Sequence, residues 1–182
     1  MSEAGRGGSG AEFTLPSWAA CFPADYSRGR RIVIKGVQLG PVLLGRGNIF
    51  LLEERAEVGS VRCKKTRYGK PFLTIDGLEF SGREPVDEFV EKIIQLRGWL
   101  GEAAERLWTF YPVMIFPGDA FVHVHYKERI QPRRISVINE RFLPNLLDIL
   151  TCNASRWGKI PDDEMDKLAS ALERMTTTST RT

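Results

Sequence analysis

The chain has 182 residues, 42% hydrophobic and 27% charged, which suits one core of ordinary size and excludes a collagen-like or wholly disordered polymer. Its formal net charge of +3 is too small to mark a nucleic-acid binder by itself, because where charges sit matters more than their sum. No run approaches the roughly 20 apolar residues that span a bilayer, and residues 1–10 carry no apolar signal segment, so no membrane partner is expected and a cytoplasmic location follows by default.

Residues 1–10, rich in Gly and Ser, and residues 176–182, rich in Thr, cannot bury enough apolar area to offset their ordering entropy, so both are expected to be disordered ends around a single domain over 11–175. Trp18, Phe22 and Tyr26 want burial, but Pro16, Pro23 and Gly29 interrupt any long helix there, which predicts short turns packed on the body. From Arg31 the pattern becomes short β-type runs: Arg31 to Val37, Val42 to Leu44, Asn48 to Glu54 and Gly59 to Lys64. Arg62 to Thr66 and Pro71 to Ile75 then flank Tyr68-Gly69-Lys70 as a hairpin.

From Glu84 the period turns helical, with Val86, Phe89, Val90, Ile93, Leu96, Leu100, Ala103 and Leu107 at three- and four-residue steps and Gly98 and Gly101 as weak points. Tyr111 to Phe116 reads as a buried strand, Phe121 to His125 as another after the turn Pro117-Gly118-Asp119, and Ile135 to Ile138 as a third. Arg141 to Leu150 suits a short helix with Pro144 near its start, and Asp162 to Met175 an amphipathic one whose acidic first turn complements the helix dipole. This order predicts an α/β (α+β) fold with a mixed central β-sheet flanked by helices.

Two groups of residues bear on chemistry. Arg62, Lys64, Lys65, Arg67 and Lys70, with Tyr68 among them, form the densest acid-free run of cations, able to track a phosphate backbone with Tyr68 stacking on a base, or else to guard an edge hairpin from aggregation. Arg129, Arg133, Arg134 and Arg141 add positive charge later, on faces that spacing does not fix. The odd number of cysteines, Cys21, Cys63 and Cys152, suggests reduced thiols, and His123 with His125 lacks a third ligand that would mark a metal site. Gly45-Arg46-Gly47 lacks phosphate-loop spacing.

The second group lies in Gln38-Leu39-Gly40-Pro41-Val42-Leu43-Leu44-Gly45-Arg46-Gly47-Asn48-Ile49-Phe50-Leu51-Leu52-Glu53-Glu54-Arg55. This stretch resembles the centre of nuclease-related (NERD) domains of the PD-(D/E)xK nuclease superfamily, where an Ile-Asp-His strand turns through a Gly-rich bend into Ile-Phe-Val-Ile-Glu-x-Lys. The resemblance implies a restriction-endonuclease-like fold and a magnesium or manganese ion held by carboxylates, with a lysine orienting the attacking water. It places the metal-binding Glu at Glu53 and the Lys at Arg55. The Asp position falls on Gly40, which has no ligand to offer, and the family's Asn-Pro-x-x-Gln appears as Glu84-Pro85-Val86-Asp87-Glu88. Glu88 is thereby a candidate second metal ligand beside Glu53, ahead of Asp76 and Glu57.

Three functions follow: a nuclease-like nucleic-acid-binding domain with lost or weakened metal-dependent phosphodiesterase activity, a protein-interaction or regulatory module on a nuclease scaffold, and an active nuclease with a migrated metal site. Expected partners are nucleic acid, with DNA ranked ahead of RNA, or a protein. Convergence of Glu53, Arg55, Glu88 and the 62–70 hairpin on one cleft would favour nucleic acid over the interaction module.

Overall fold

A computed structural model describes residues 17–22, 27–29, 32–45, 47–65, 67, 71–79, 85–101, 110–123, 135–149 and 160–178. After a 3-10 turn at Ser17–Cys21, the strands are β1 (Ser27–Gly29), β2 (Val33–Ile34), β3 (Val37–Gln38), β4 (Val42–Gly45), β5 (Asn48–Glu54), β6 (Ser60–Lys65), β7 (Pro71–Ile75) and β8 (Leu78–Glu79). Helix α1 (Pro85–Leu100) precedes β9 (Phe110–Phe116), β10 (Phe121–Val122) and β11 (Ser136–Asn139). A 3-10 turn at Glu140–Phe142 leads into α2 (143–149), and α3 (Asp162–Thr178) is the last element.

The fold is mixed α/β, with helices flanking a mixed central sheet of five strands in the order β1-β4-β5-β9-β11. β1, β4 and β5 pair antiparallel, whereas β5, β9 and β11 run parallel, so β5 joins the two halves. A second sheet, β10-β6-β7-β8, is also mixed, because β10 joins β6 in parallel. Among the described residues no helix is long and apolar enough to cross a membrane.

β5 is buried on both sides, which is why its sequence is an unbroken apolar run rather than an alternating one. Ile49 and Leu51 enter one cluster, with Val42, Leu44, Met114 and Phe116 of the same sheet, Val61 and Leu73 of the second sheet, and Phe89, Ile93 and Leu96 of α1. Phe50 and Leu52 face the other way, against Trp18, Phe22, Tyr111, Val113 and the α2 residues Leu146 and Leu147. Phe22 meets Phe50 edge-on with ring centroids 5.3 Å apart, which ties the first 3-10 turn to the central strand. Each fully buried aromatic or aliphatic side chain contributes about 1.5–3 kcal/mol, so these two clusters carry most of the stability.

Helix α1 forms because Val86, Phe89, Ile93, Leu96 and Leu100 recur on one stripe, Pro85 occupies a first position that needs no N–H, and Asp87 and Glu88 meet the dipole. It ends at Leu100, and Gly101 takes φ +57; Ala103 and Leu107, which the same periodicity includes, lie outside the described residues. The run expected from Arg31 to Val37 is also divided. Lys35 (φ +48) and Gly36 (φ +80) both adopt left-handed backbone, a two-residue turn that folds β2 back on β3. A second such turn, Asp76 (φ +51) and Gly77 (φ +83), adds β8, a strand the apolar periodicity did not suggest.

Candidate functional site

Glu53 lies near the carboxyl end of β5, on the face turned toward α1, and is 8% exposed. A buried carboxylate needs a cation, and here it is Lys92 of α1: the Nζ atom donates to Oε1 at 2.9 Å and to Oε2 at 2.7 Å. The two side chains are 11% and 22% exposed, so the pair is largely shielded from solvent screening. Lys92 sits on the shoulder of the helix's buried stripe, one turn after Glu88, where its four-carbon stem lies along apolar surface while the ammonium reaches the acid.

Gly40 sits beside this pair. A Cβ built on it would stand 2.0 Å from the Leu52 carbonyl oxygen and 3.5 Å from Glu53 Oε2. The positions that the resemblance assigns to the Asp and the Glu are therefore spatial neighbours, but no side chain fits at the first of them, because the backbone of β5 fills its place. The approach is held by a hydrogen bond from the Leu52 N–H to the Pro41 carbonyl at 2.9 Å.

Arg55 turns forward rather than back. Its backbone N–H continues the β5–β9 ladder to the Ile115 carbonyl at 2.8 Å, while its guanidinium forms a forked pair with Glu57, Nε to Oε2 being 3.1 Å. Burial works against the Glu57 charge, but the Arg55 hydrogen bond, backbone N–H donors and the Arg55 charge outweigh it, so the carboxyl lies below its ordinary range. Glu54, on the opposite face of β5 from Glu53, is shifted the other way: burial raises it, an approach of the Trp18 indole N–H opposes that, and the Glu53 charge adds to it. The indole N–H is itself buried and reaches no acceptor at full hydrogen-bond geometry.

Glu88 is half-buried on α1, with Lys92 rather than Glu88 on the Glu53 oxygens. Glu57 is committed to Arg55, and Asp76 lies in the second sheet, accepting from the Ser60 N–H at 2.7 Å. Among the described residues no group of three or more His, Cys, Asp or Glu side chains could hold a metal ion. A magnesium or manganese site built on Glu53 does not fit this arrangement: one candidate ligand carries an ammonium on both oxygens, and the neighbouring position has no room for a ligand.

The basic hairpin is β6–β7, with Arg62 opposite Thr74 and Lys64 opposite Phe72. Arg62, Lys64 and Arg67 are exposed; the side chain of Lys65, and Tyr68 and Lys70 altogether, lie outside the described residues, as do His125, Arg129, Arg133, Arg134 and Cys152. Val61 points into the first cluster, so Arg62 and Lys64 point away from it, and from α1 and Glu53. Among the described residues, Arg62 and Lys64 thus stand on a different face of the sheet from the one that meets α1 and Glu53. His123 is exposed, and Arg141 is exposed beside Gly118. Cys21 is a free, half-buried thiol.

Sequence reasoning missed Lys92. Its one signal is a lysine at the margin of an apolar helical stripe, a position that in most helices is a solvated shoulder. No protein-family model, curated protein or solved structure matches the chain.

Proposed function

We propose that this chain is a nuclease-like scaffold that binds nucleic acid without cleaving it. The observation that carries the reading is the closed Glu53–Lys92 pair next to a Gly40 that admits no side chain. Metal-assisted phosphodiester cleavage requires carboxylate oxygens free to take a hard cation, and a second oxygen ligand beside them. Among the described residues, Glu53 offers neither. Binding needs less: exposed cations suffice to neutralise phosphates, and Arg62 and Lys64 on one face of β6, with Arg67 exposed beyond its end, supply them. Arg62 and Lys64 face away from Glu53, so a shared cleft does not argue for nucleic acid, and the binding reading rests on the exposed cations themselves.

A second reading, an active nuclease with a migrated site, draws on the same pair. Lys92 brings to Glu53 the ammonium that Arg55 does not, and Glu88 lies one turn earlier on α1. Incubation of the purified protein with DNA and RNA in magnesium or manganese separates the readings. No cleavage above the background of a Glu53→Gln variant is expected, and robust cleavage abolished by Glu53→Gln and Glu88→Gln would install the second reading. Binding titrations at several salt concentrations test affinity itself. Three phosphate contacts give a log-affinity against log-salt slope of about −3 on duplex DNA and about −2 on single strands. An Arg62→Ala/Lys64→Ala/Arg67→Ala variant should flatten that slope. Absence of binding by the unmodified protein would leave the protein-interaction module in first place.

A further inference from the structure

The four-stranded sheet buries one face against the first apolar cluster; on the other face Thr74, opposite Arg62, is buried, while the β10–β6 side is exposed at Phe121, His123, Arg62 and Lys64. Val122, Val61, Leu73 and Ile75 meet the first apolar cluster. The pairing is Phe121 with Ser60 and Val122 with Val61 in parallel, and Arg62 with Thr74 and Lys64 with Phe72 antiparallel. The His123 N–H extends the ladder to the Val61 carbonyl at 2.9 Å, bringing His123 level with Arg62. Strict alternation then gathers Phe121 of β10 and His123 just after it, Arg62 and Lys64 of β6, and the half-buried Phe72 and buried Thr74 of β7 on the outer face.

The chemistry of that face is unusual for a solvated one. Phe121 is 71% exposed, more than any other large hydrophobic residue among those described. The exposed residues along the same face are polar: His123 and Arg62 next along the strands, Lys64 further along β6, and Arg67 beyond its end. Asp76, at the rim, has its carboxylate turned to the Ser60 N–H. A lone exposed aromatic is ordinary. An aromatic ring on a flat sheet, with two cations on the adjacent strand spaced about 6.6 Å apart, presents a stacking surface and phosphate contacts together.

We infer that the outer face of this sheet binds single-stranded nucleic acid, with Phe121 stacking on an unpaired base, Arg62 and Lys64 on the phosphates, and His123 and Phe72 flanking the strand. The inference rests on the nucleic-acid reading above and narrows it to unpaired strands. Bases in a duplex are stacked on each other and offer no free face, whereas a single strand can lay a base on an aromatic ring. Positive charge around the ring complements a polyanion and repels a basic partner.

The test is fluorescence anisotropy with labelled dT20, rU20, the dT20·dA20 duplex and an abasic deoxyribose-phosphate strand of equal length, on the full chain. Tighter binding of dT20 or rU20 than of duplex is expected, and the two single strands report whether the sugar matters. Phe121→Ala should weaken single-strand binding about tenfold, within the range for one stacked base, while leaving the abasic strand unaffected. Phe121→Trp should restore affinity. Arg62→Ala/Lys64→Ala should weaken both kinds of strand and flatten the single-strand salt slope by about 1.4. The exposure of Phe121 means its truncation removes little packing, and an unchanged melting temperature confirms that. Equal affinity for duplex and single strand, or a Phe121→Ala variant that binds like the unmodified protein, overturns this inference while the wider reading stands. If the unmodified protein binds none of the four probes, both fail.

Discussion

Replacing Lys92 by Met removes the ammonium on Glu53 while keeping the length and most of the volume of the side chain. Breaking a fully buried ion pair by removing one partner costs about 3–5 kcal/mol, because the other charge is left without compensation. Lys92 is 22% exposed at its side chain and Glu53 11%, so some water reaches the acid, and a loss of about 2–3 kcal/mol is expected. Glu53→Gln should cost less, about 1–2 kcal/mol, since the ammonium can turn to solvent and the amide oxygen still accepts. In the double variant the charge that made each single change costly is gone, so its loss should fall short of the sum by about 1–2 kcal/mol. Urea unfolding at pH 7 measures all four proteins, and each kcal/mol corresponds to a melting shift of about 2–4 °C for a chain of this size. Losses that add within about 0.5 kcal/mol would refute the reasoning, because Glu53 would then not depend on Lys92.

Gly40→Ala should destabilise by about 2–3 kcal/mol in the same unfolding assay, since its Cβ would stand 2.0 Å from the Leu52 oxygen and β5 must shift; a loss under about 0.5 kcal/mol would show that the strand moves aside freely. Glu54 and Glu57 should give opposite pH trends. The raised Glu54 carboxyl makes its charge unfavourable to the fold, so stability linked to it is present below its ordinary value of 4.5 and is lost as pH rises through the raised value; Glu54→Gln is therefore more stable than the unmodified protein at pH 7, with the gain fading on acidification. The lowered Glu57 carboxyl contributes stability above 4.5 that is lost as pH falls through its folded value, so Glu57→Gln is less stable at pH 7 and converges with the unmodified protein in acid. Parallel pH profiles for the two variants would contradict both assignments.

The elements most legible in the sequence are those whose pattern and burial agree. β5 and β9 are unbroken apolar runs buried on both faces, and the stripe of α1 falls at helical spacing. The β2–β3 turn was hidden because Lys35 adopts left-handed backbone without being an Asn, Asp or Gly, the residues that advertise such turns. Asp76-Gly77 did carry that signal, yet β8 is only Leu78–Glu79, too short to show alternation. For the candidate site, the sequence exposed Glu53 and the basic hairpin but not their relation. The Lys92–Glu53 contact joins residues 39 apart through the rotation of a helix, which no local pattern encodes. Arg62 and Lys64 looked like part of one cationic run, and only the burial of Val61 showed which way alternate members of that run face.

The pair and the glycine also give the buried acid a structural role in this fold. An apolar stripe such as Val86, Phe89, Ile93, Leu96 and Leu100 rewards burial but specifies rotation weakly, because dispersion contacts are numerous and non-directional. A two-point ion pair does specify it: Lys92 can reach both oxygens of Glu53 in only a narrow range of helix positions. Gly40 fixes the other side of the acid by letting the chain close onto the Leu52 carbonyl. Since α1 also packs against β7, its rotation sets where the second sheet lies, and therefore where the outer face bearing Arg62, Lys64 and Phe121 is presented. Glu53 thus has a positional part in the fold, by holding the helix that holds the sheet.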